Sequence, residues 1–219
     1  MERIIFFNIA WMKNYKGIIK GYDEPRGGGS YVSETLDAHE KFNFETVYLS
    51  DQNGYTEGDY CLGFVETKST NKKNSNQLNI EKIEGCESLK GEQEADDILV
   101  VYCALYPDSI QKETYIVGWY KHATVYRNYN SIILNRENTE YTQLYNAIAK
   151  KEDCVLLPVP NRRKPIWEVH RKKGKIAYGF GQSNVWYAQG AEENPLLKQF
   201  LNRISDQINS YDGDNLINQ

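Results

Sequence analysis

Arg3-Ile4-Ile5-Phe6-Phe7-Asn8-Ile9 opens the chain as a short run of β-branched and aromatic residues. Such residues fit a pleated surface, and a run of this length reads as a buried strand. It gives way to a loop that carries Trp11. The stretch from Tyr22 to Tyr31 follows, with Pro25 and the triple Gly27-Gly28-Gly29, where only glycine takes unusual dihedral angles without a steric cost. Further strands are expected at Asn43 to Leu49, Tyr60 to Glu66, Ile98 to Leu105, Thr114 to Tyr120, Thr124 to Asn128, Val155 to Pro158 and Lys175 to Phe180. Many short strands separated by Gly and Asn point to a curled sheet or barrel. The Lys-, Asn- and Ser-rich section from Lys68 to Gln77 reads as a solvated loop.

Two helices interrupt this pattern. After Asn138 or Thr139 as N-cap, Tyr141, Leu144, Tyr145 and Ile148 fall at i, i+3, i+4 and i+7 and share one helical face. A second helix starts at Asn194 with Pro195 in its first position and stripes Leu197, Phe200, Leu201, Ile204 and Ile208 along one side. The expected class is therefore α+β, a curled β-barrel flanked by helices. No internal repeat or linker divides it, so residues 1–190 form one domain, and residues 191–219 are a C-terminal amphipathic helix that packs on the barrel or leads toward a further domain.

The chain has 219 residues, 40% hydrophobic and 26% charged, which is ordinary globular composition for one core with additions. No apolar run approaches a membrane span and no signal peptide precedes the first strand, so a cytoplasmic location is expected. Cys61, Cys86, Cys103 and Cys154 show no Cys-x-x-Cys pair and no histidine at ligand spacing, and read as buried thiols. The net charge of -4 hides an uneven distribution. Seven acids lie between Glu81 and Asp97 against Lys82 and Lys90, and seven bases lie between Arg162 and Lys175 against Glu168. The first segment repels phosphate and the second attracts it.

No hydrolase elbow, P-loop or paired metal histidines occur. Asp108 with Glu113 is a poor imitation of a metal-nuclease motif, since Tyr115 stands where the lysine belongs. No catalytic residue, metal ligand or cofactor is assigned. The aromatic residues say more: Trp11, Tyr31, Trp119, Tyr120, Tyr126, Trp186 and Tyr187 lie beside polar or glycine-rich turns, where rings can sandwich a planar base. Packing within the core is the plainer reading for any one of them. Arg162-Arg163-Lys164 and Arg171-Lys172-Lys173, with Trp167 between them, suit contacts to phosphate.

Three blocks carry a family resemblance: Phe7 to Met12 with Gly28 to Val32, the run Val117-Gly118-Trp119-Tyr120-Lys121-His122-Ala123-Thr124-Val125-Tyr126-Arg127, and Gly181 to Tyr187. Together they resemble the N-terminal specificity module of modification-dependent restriction enzymes, which is similar to the PUA superfamily of EVE, YTH and SRA domains. Asn184-Val185-Trp186 is also similar to the Asn-Val-Trp of YTH readers, though it lies near the C-terminus here. The resemblance implies a PUA-like barrel that binds a modified, flipped-out base in DNA, within a restriction or phage-defence system. It implies a base pocket of Trp11, Ser30, Tyr31, Trp119, Tyr120, Asn184 and Trp186, with phosphates on Arg127, Arg162, Arg163, Lys164, Arg171 and Lys172. A nuclease domain or subunit is the implied partner. Three alternatives stay open: RNA as the ligand, a metal nuclease using Asp96, Asp97, Asp108 or Glu113, and a protein-interaction module using the acidic stretch and the terminal helix.

Overall fold

The computed structural model describes residues 2–27, 37–67, 77–136, 139–171 and 178–219. Among them lie nine strands in one mixed sheet: β1 (Ile4–Ile9), β2 (Thr46–Leu49), β3 (Gly58–Gly63), β4 (Glu94–Leu105), β5 (Thr114–Arg136), β6 (Thr139–Lys150), β7 (Cys154–Leu156), β8 (Glu168–Val169) and β9 (Val185–Trp186). The order is β2-β3-β6-β5-β4-β1-β9, with β7 and β8 also paired to β5. β1 runs parallel to β4, Phe6 opposite Val101, and β9 closes on β1 antiparallel, Trp186 opposite Phe6. The path begins at β2 and ends at β9 without joining them, so the expected barrel is corrected to an open sheet.

Strong curl takes the place of closure. Ile5 and Phe7 of β1, Val100 and Tyr102 of β4, Cys61 of β3 and Ala147 of β6 share one core, although β3 and β1 stand far apart in the sheet order. The opposite face of β1 and β4, with Ile4, Phe6, Leu99, Val101 and Cys103, forms a second core. Both faces are buried, which is why these strands read as continuous apolar runs instead of alternating ones.

The second core is capped by α2 (Pro195–Asn209); a single turn, α1 (Val159–Arg162), precedes it. The Asn194 side chain accepts the Leu197 N–H at 3.2 Å and Pro195 occupies the first turn, as the sequence signals. Leu197, Phe200, Leu201, Ile204 and Ile208 are all buried. Each such side chain contributes about 1.5–3 kcal/mol of hydrophobic stabilisation.

The helix expected from Tyr141 to Ile148 is instead strand β6, hydrogen-bonded to β5 on one side and β3 on the other. Tyr145 to Ala149 are buried without a gap, so the apparent helical stripe was part of a strand covered on both faces. The strands expected at Thr114 to Tyr120 and Thr124 to Asn128 are one element, β5, irregular where it changes partners. At that irregularity His122 sits at φ 48°. The strand expected at Tyr60 to Glu66 ends at Gly63, and side chains extend its ladder. Asn43 exchanges two 2.9 Å hydrogen bonds with the Phe64 backbone, and Asn146 accepts the Val65 N–H at 3.0 Å and donates to its carbonyl at 2.9 Å. The strand from Lys175 to Phe180 and the loop from Lys68 to Gln77 fall largely outside the described residues. The four cysteines are free and buried. No described helix is long and apolar enough to cross a membrane.

Candidate nucleic-acid interface

Strand β4 acts as a ruler between two ends of opposite character. At its start lie Glu94, Asp96 and Asp97, and the acidic segment before it folds against the same end: Gly85 abuts Arg3, and Arg127 reaches the Leu89 and Glu92 carbonyls. Past its other end lie Arg26, which pairs with Asp108 at 2.7 Å, Arg163, stacked 4.5 Å over Tyr106, and Arg171, which donates to Thr114 at 3.0 Å. From Asp97 to Leu105 the strand rises roughly 26 Å, about 3.3 Å per residue. The acidic segment and the described basic residues Arg163 and Arg171 are thus held toward opposite ends of β4.

The basic residues divide by what already holds them. Arg162 is fully buried and donates to the carbonyls of Leu157 at 2.8 Å, Met12 at 2.6 Å and Lys13 at 2.5 Å. Burial pushes its pKa down to about 10, and it serves as an internal clamp rather than the expected phosphate contact. Arg127 is ion-paired with Glu81 at 2.8 Å at the acidic end, so it is also removed from the phosphate set. Arg163 and Lys164 are exposed. Arg171 is half-buried, also donates to Asn8 at 2.9 Å, and has its pKa lowered by burial. Lys172 lies outside the described residues, as do Ser30 and Tyr31 of the expected pocket.

The other expected pocket residues do not converge. Trp119 packs against Trp167 and Tyr211 in the helix-side core, at centroid distances of 5.4 and 5.2 Å. Tyr120 belongs to the opposite core, 4.8 Å from Tyr102 and 5.5 Å from Phe44, and burial raises the pKa of both tyrosines. Adjacent residues of a strand point to opposite faces, so these two cannot line one pocket. Trp11 is 5% exposed and packs edge-on to Tyr106 at 5.1 Å. Trp167, singled out between the two basic clusters, is core as well.

Trp186 and Asn184 do reach the surface. Trp186 stacks on Phe6 at 4.6 Å, and Tyr178 has its ring centroid 6.4 Å away with only 18° between the planes, Phe200 packing against both at 5.9 Å from Trp186 and 5.4 Å from Tyr178. Both rings line a cleft of about 320 Å³, together with Gln189, Asn194 and Leu197 from the approach to α2 and its first turn. Asn184 flanks this edge, its carbonyl accepting the Asn8 N–H at 2.7 Å and its amide reaching the Glu66 carbonyl at 3.2 Å. Arg171 joins the cleft to the basic end: it bridges to Phe180 along the backbone, and Phe180 lies 5.8 Å from Trp186. Tyr178 lies within the strand expected from Lys175 to Phe180, where the sequence reads it as one more strand residue and nothing local marks it as facing a cleft.

Catalytic alternatives find less. Asp96 and Asp97 sit at the start of β4, while Asp108 and Glu113 lie beyond its end, so they do not form one metal site. Asp97 is hydrogen-bonded to His122 at 2.8 Å, Asp96 accepts from Thr124 at 2.6 Å, and Glu113 from Ser109 at 2.9 Å. Among the described residues no group of three or more His, Cys, Asp or Glu side chains is placed to hold a metal ion. A groove of about 740 Å³ between residues 16–19, β2 and the end of β5 is lined by Arg136, which is ion-paired with Glu45 and lies 3.9 Å over Phe42. No protein-family model, curated protein or solved structure matches this chain.

Proposed function

We propose that this protein is a DNA-binding module that reads a modified base, taken out of the duplex into the cleft beside Trp186, and that the basic end of the sheet holds the flanking phosphates. The observation that carries the reading is the near-parallel pair Tyr178 and Trp186, whose centroids are 6.4 Å apart. A planar ring between two others needs about 7 Å, twice the roughly 3.5 Å separation of contacting carbons. A small opening movement of Tyr178 admits one. Gln189 and Asn194, at the cleft wall, supply amides for the base edge. Extruding a base costs a few kcal/mol, which stacking at about 1–3 kcal/mol per base and edge hydrogen bonds must return.

The test is fluorescence polarisation at low salt with one duplex carrying unmodified bases, 5-methylcytosine, 5-hydroxymethylcytosine or N6-methyladenine in turn. One modified duplex is expected to bind more tightly than the rest. Tyr178→Ala is expected to weaken that binding by roughly 5- to 100-fold and to erase the preference while the protein stays folded by circular dichroism. Equal binding of all four duplexes, or none, overturns the reading.

A further inference from the structure

The turn between β4 and β5 carries Ile110 at its tip with its side chain 100% exposed. Tips of such turns are usually Gly, Asn, Asp, Ser or Pro. A bare isoleucine there forgoes the stabilisation that burying it would return. The turn is nonetheless firmly built. Tyr106 N–H donates to the Glu113 carbonyl at 2.9 Å, Ser109 N–H to Tyr106 at 3.2 Å and Lys112 N–H to Ser109 at 3.3 Å. The Ser109 hydroxyl donates to the Glu113 carboxylate at 2.9 Å and accepts the Glu113 N–H at 3.2 Å. Arg26 grips Asp108 from outside and holds its carboxyl below the usual range. The tip is a stiff projection, not a slack loop.

Its surroundings name the occupant. Lys112 in the turn is exposed, and so is Arg163, which stacks 4.5 Å over Tyr106 at its base. Trp186 stands at the level of Val101 through Phe6, and the turn begins after Leu105, four residues or about 13 Å further along the same ruler. Asp108 and Glu113 in the same turn are already engaged by Arg26 and by the Ser109 hydroxyl, and an apolar point beside the exposed cations suits insertion between stacked bases while those cations meet the flanking phosphates.

We infer that Ile110 is a wedge that enters a nucleic-acid duplex and holds the stack open while a base occupies the cleft. This rests on the proposed function and adds a positioning residue to it. The experiment compares wild type with Ile110→Ser on a duplex bearing 2-aminopurine and on the matching single strand. The wild type is expected to raise the 2-aminopurine fluorescence of the duplex. Ile110→Ser is expected to lose that rise and about tenfold in duplex affinity, keep its single-strand affinity, and melt at the wild-type temperature. Wild-type binding with the same fluorescence rise in Ile110→Ser overturns the wedge alone, as does equal loss on duplex and single strand. Failure of the wild type to bind either form overturns the wedge and the proposed function together.

Discussion

Asn43 and Asn146 show how single side chains finish what the backbone begins. β3 stops at Gly63, yet Phe64 and Val65 run on through the core with their N–H and C=O groups met by these two amides. An unmet buried group costs about 1–3 kcal/mol, so Asn146→Ala, which strips two, should lower the unfolding free energy by about 2–4 kcal/mol in urea titration; a loss under 0.5 kcal/mol would place water in the vacated site. Glu40 offers a test in pH. Burial raises its pKa, against the opposing bond from the Ala10 N–H at 2.8 Å. A raised carboxyl favours the folded state below its unfolded pKa, and that contribution is lost as pH climbs through the folded value. Glu40→Gln keeps the acceptor for Ala10 and removes the titration. Its stability relative to wild type should therefore improve as pH rises from 4 to 8, and a constant difference across that range would show that Glu40 does not titrate between the states.

Among the elements, β5 organises the fold by holding β4 along one edge and β8, β7 and β6 in succession along the other. Gly118 makes the crowding possible. A Cβ there would stand 2.3 Å from the Val155 carbonyl of β7 and 2.7 Å from Phe44. Because one obstacle is backbone, Gly118→Ala should destabilise by about 1–3 kcal/mol, read as a lower thermal midpoint. On the helix, Ile204→Ala removes a fully buried side chain and should cost about 2–5 kcal/mol. The two elements differ in how plainly they could be read. α2 announces itself through its cap, its first-turn proline and a single apolar stripe, all local signals. β6 does not, because Tyr145 to Ala149 are apolar or buried on both faces and their spacing fits a helix as well as a strand; pairing with β3 and β5 decided it.

Over the whole molecule, charge is arranged along the strands: acids gather at the start of β4, while Arg26, Lys112, Arg163 and Arg171 outnumber Asp108 and Glu113 beyond its end. Binding to DNA through the basic end releases counterions, so the logarithm of affinity should fall with the logarithm of salt at about 0.9 per phosphate contact. Arg163→Glu with Lys164→Glu should flatten that slope by about 2 and weaken all duplexes alike, whereas Glu84→Lys with Glu87→Lys at the opposite end should leave the slope unchanged. A slope that responds equally to both pairs would show that the charges act as one diffuse field.

The sequence by itself determined a β-rich chain with buried thiols, a terminal helix with its apolar face, and the separation of acidic from basic segments, because each is written in local spacing or composition. Only the tertiary structure decided that the sheet stays open, that residues 139–150 form a strand, and which conspicuous side chains are free to bind. Trp11, Trp119, Tyr120 and Arg162 look in sequence like Trp186 and Arg163. Exposure depends on what folds over a residue from afar: Trp167 and Tyr211 cover Trp119, and three backbone carbonyls consume Arg162. Such partners lie up to 150 positions away, beyond the reach of any local pattern.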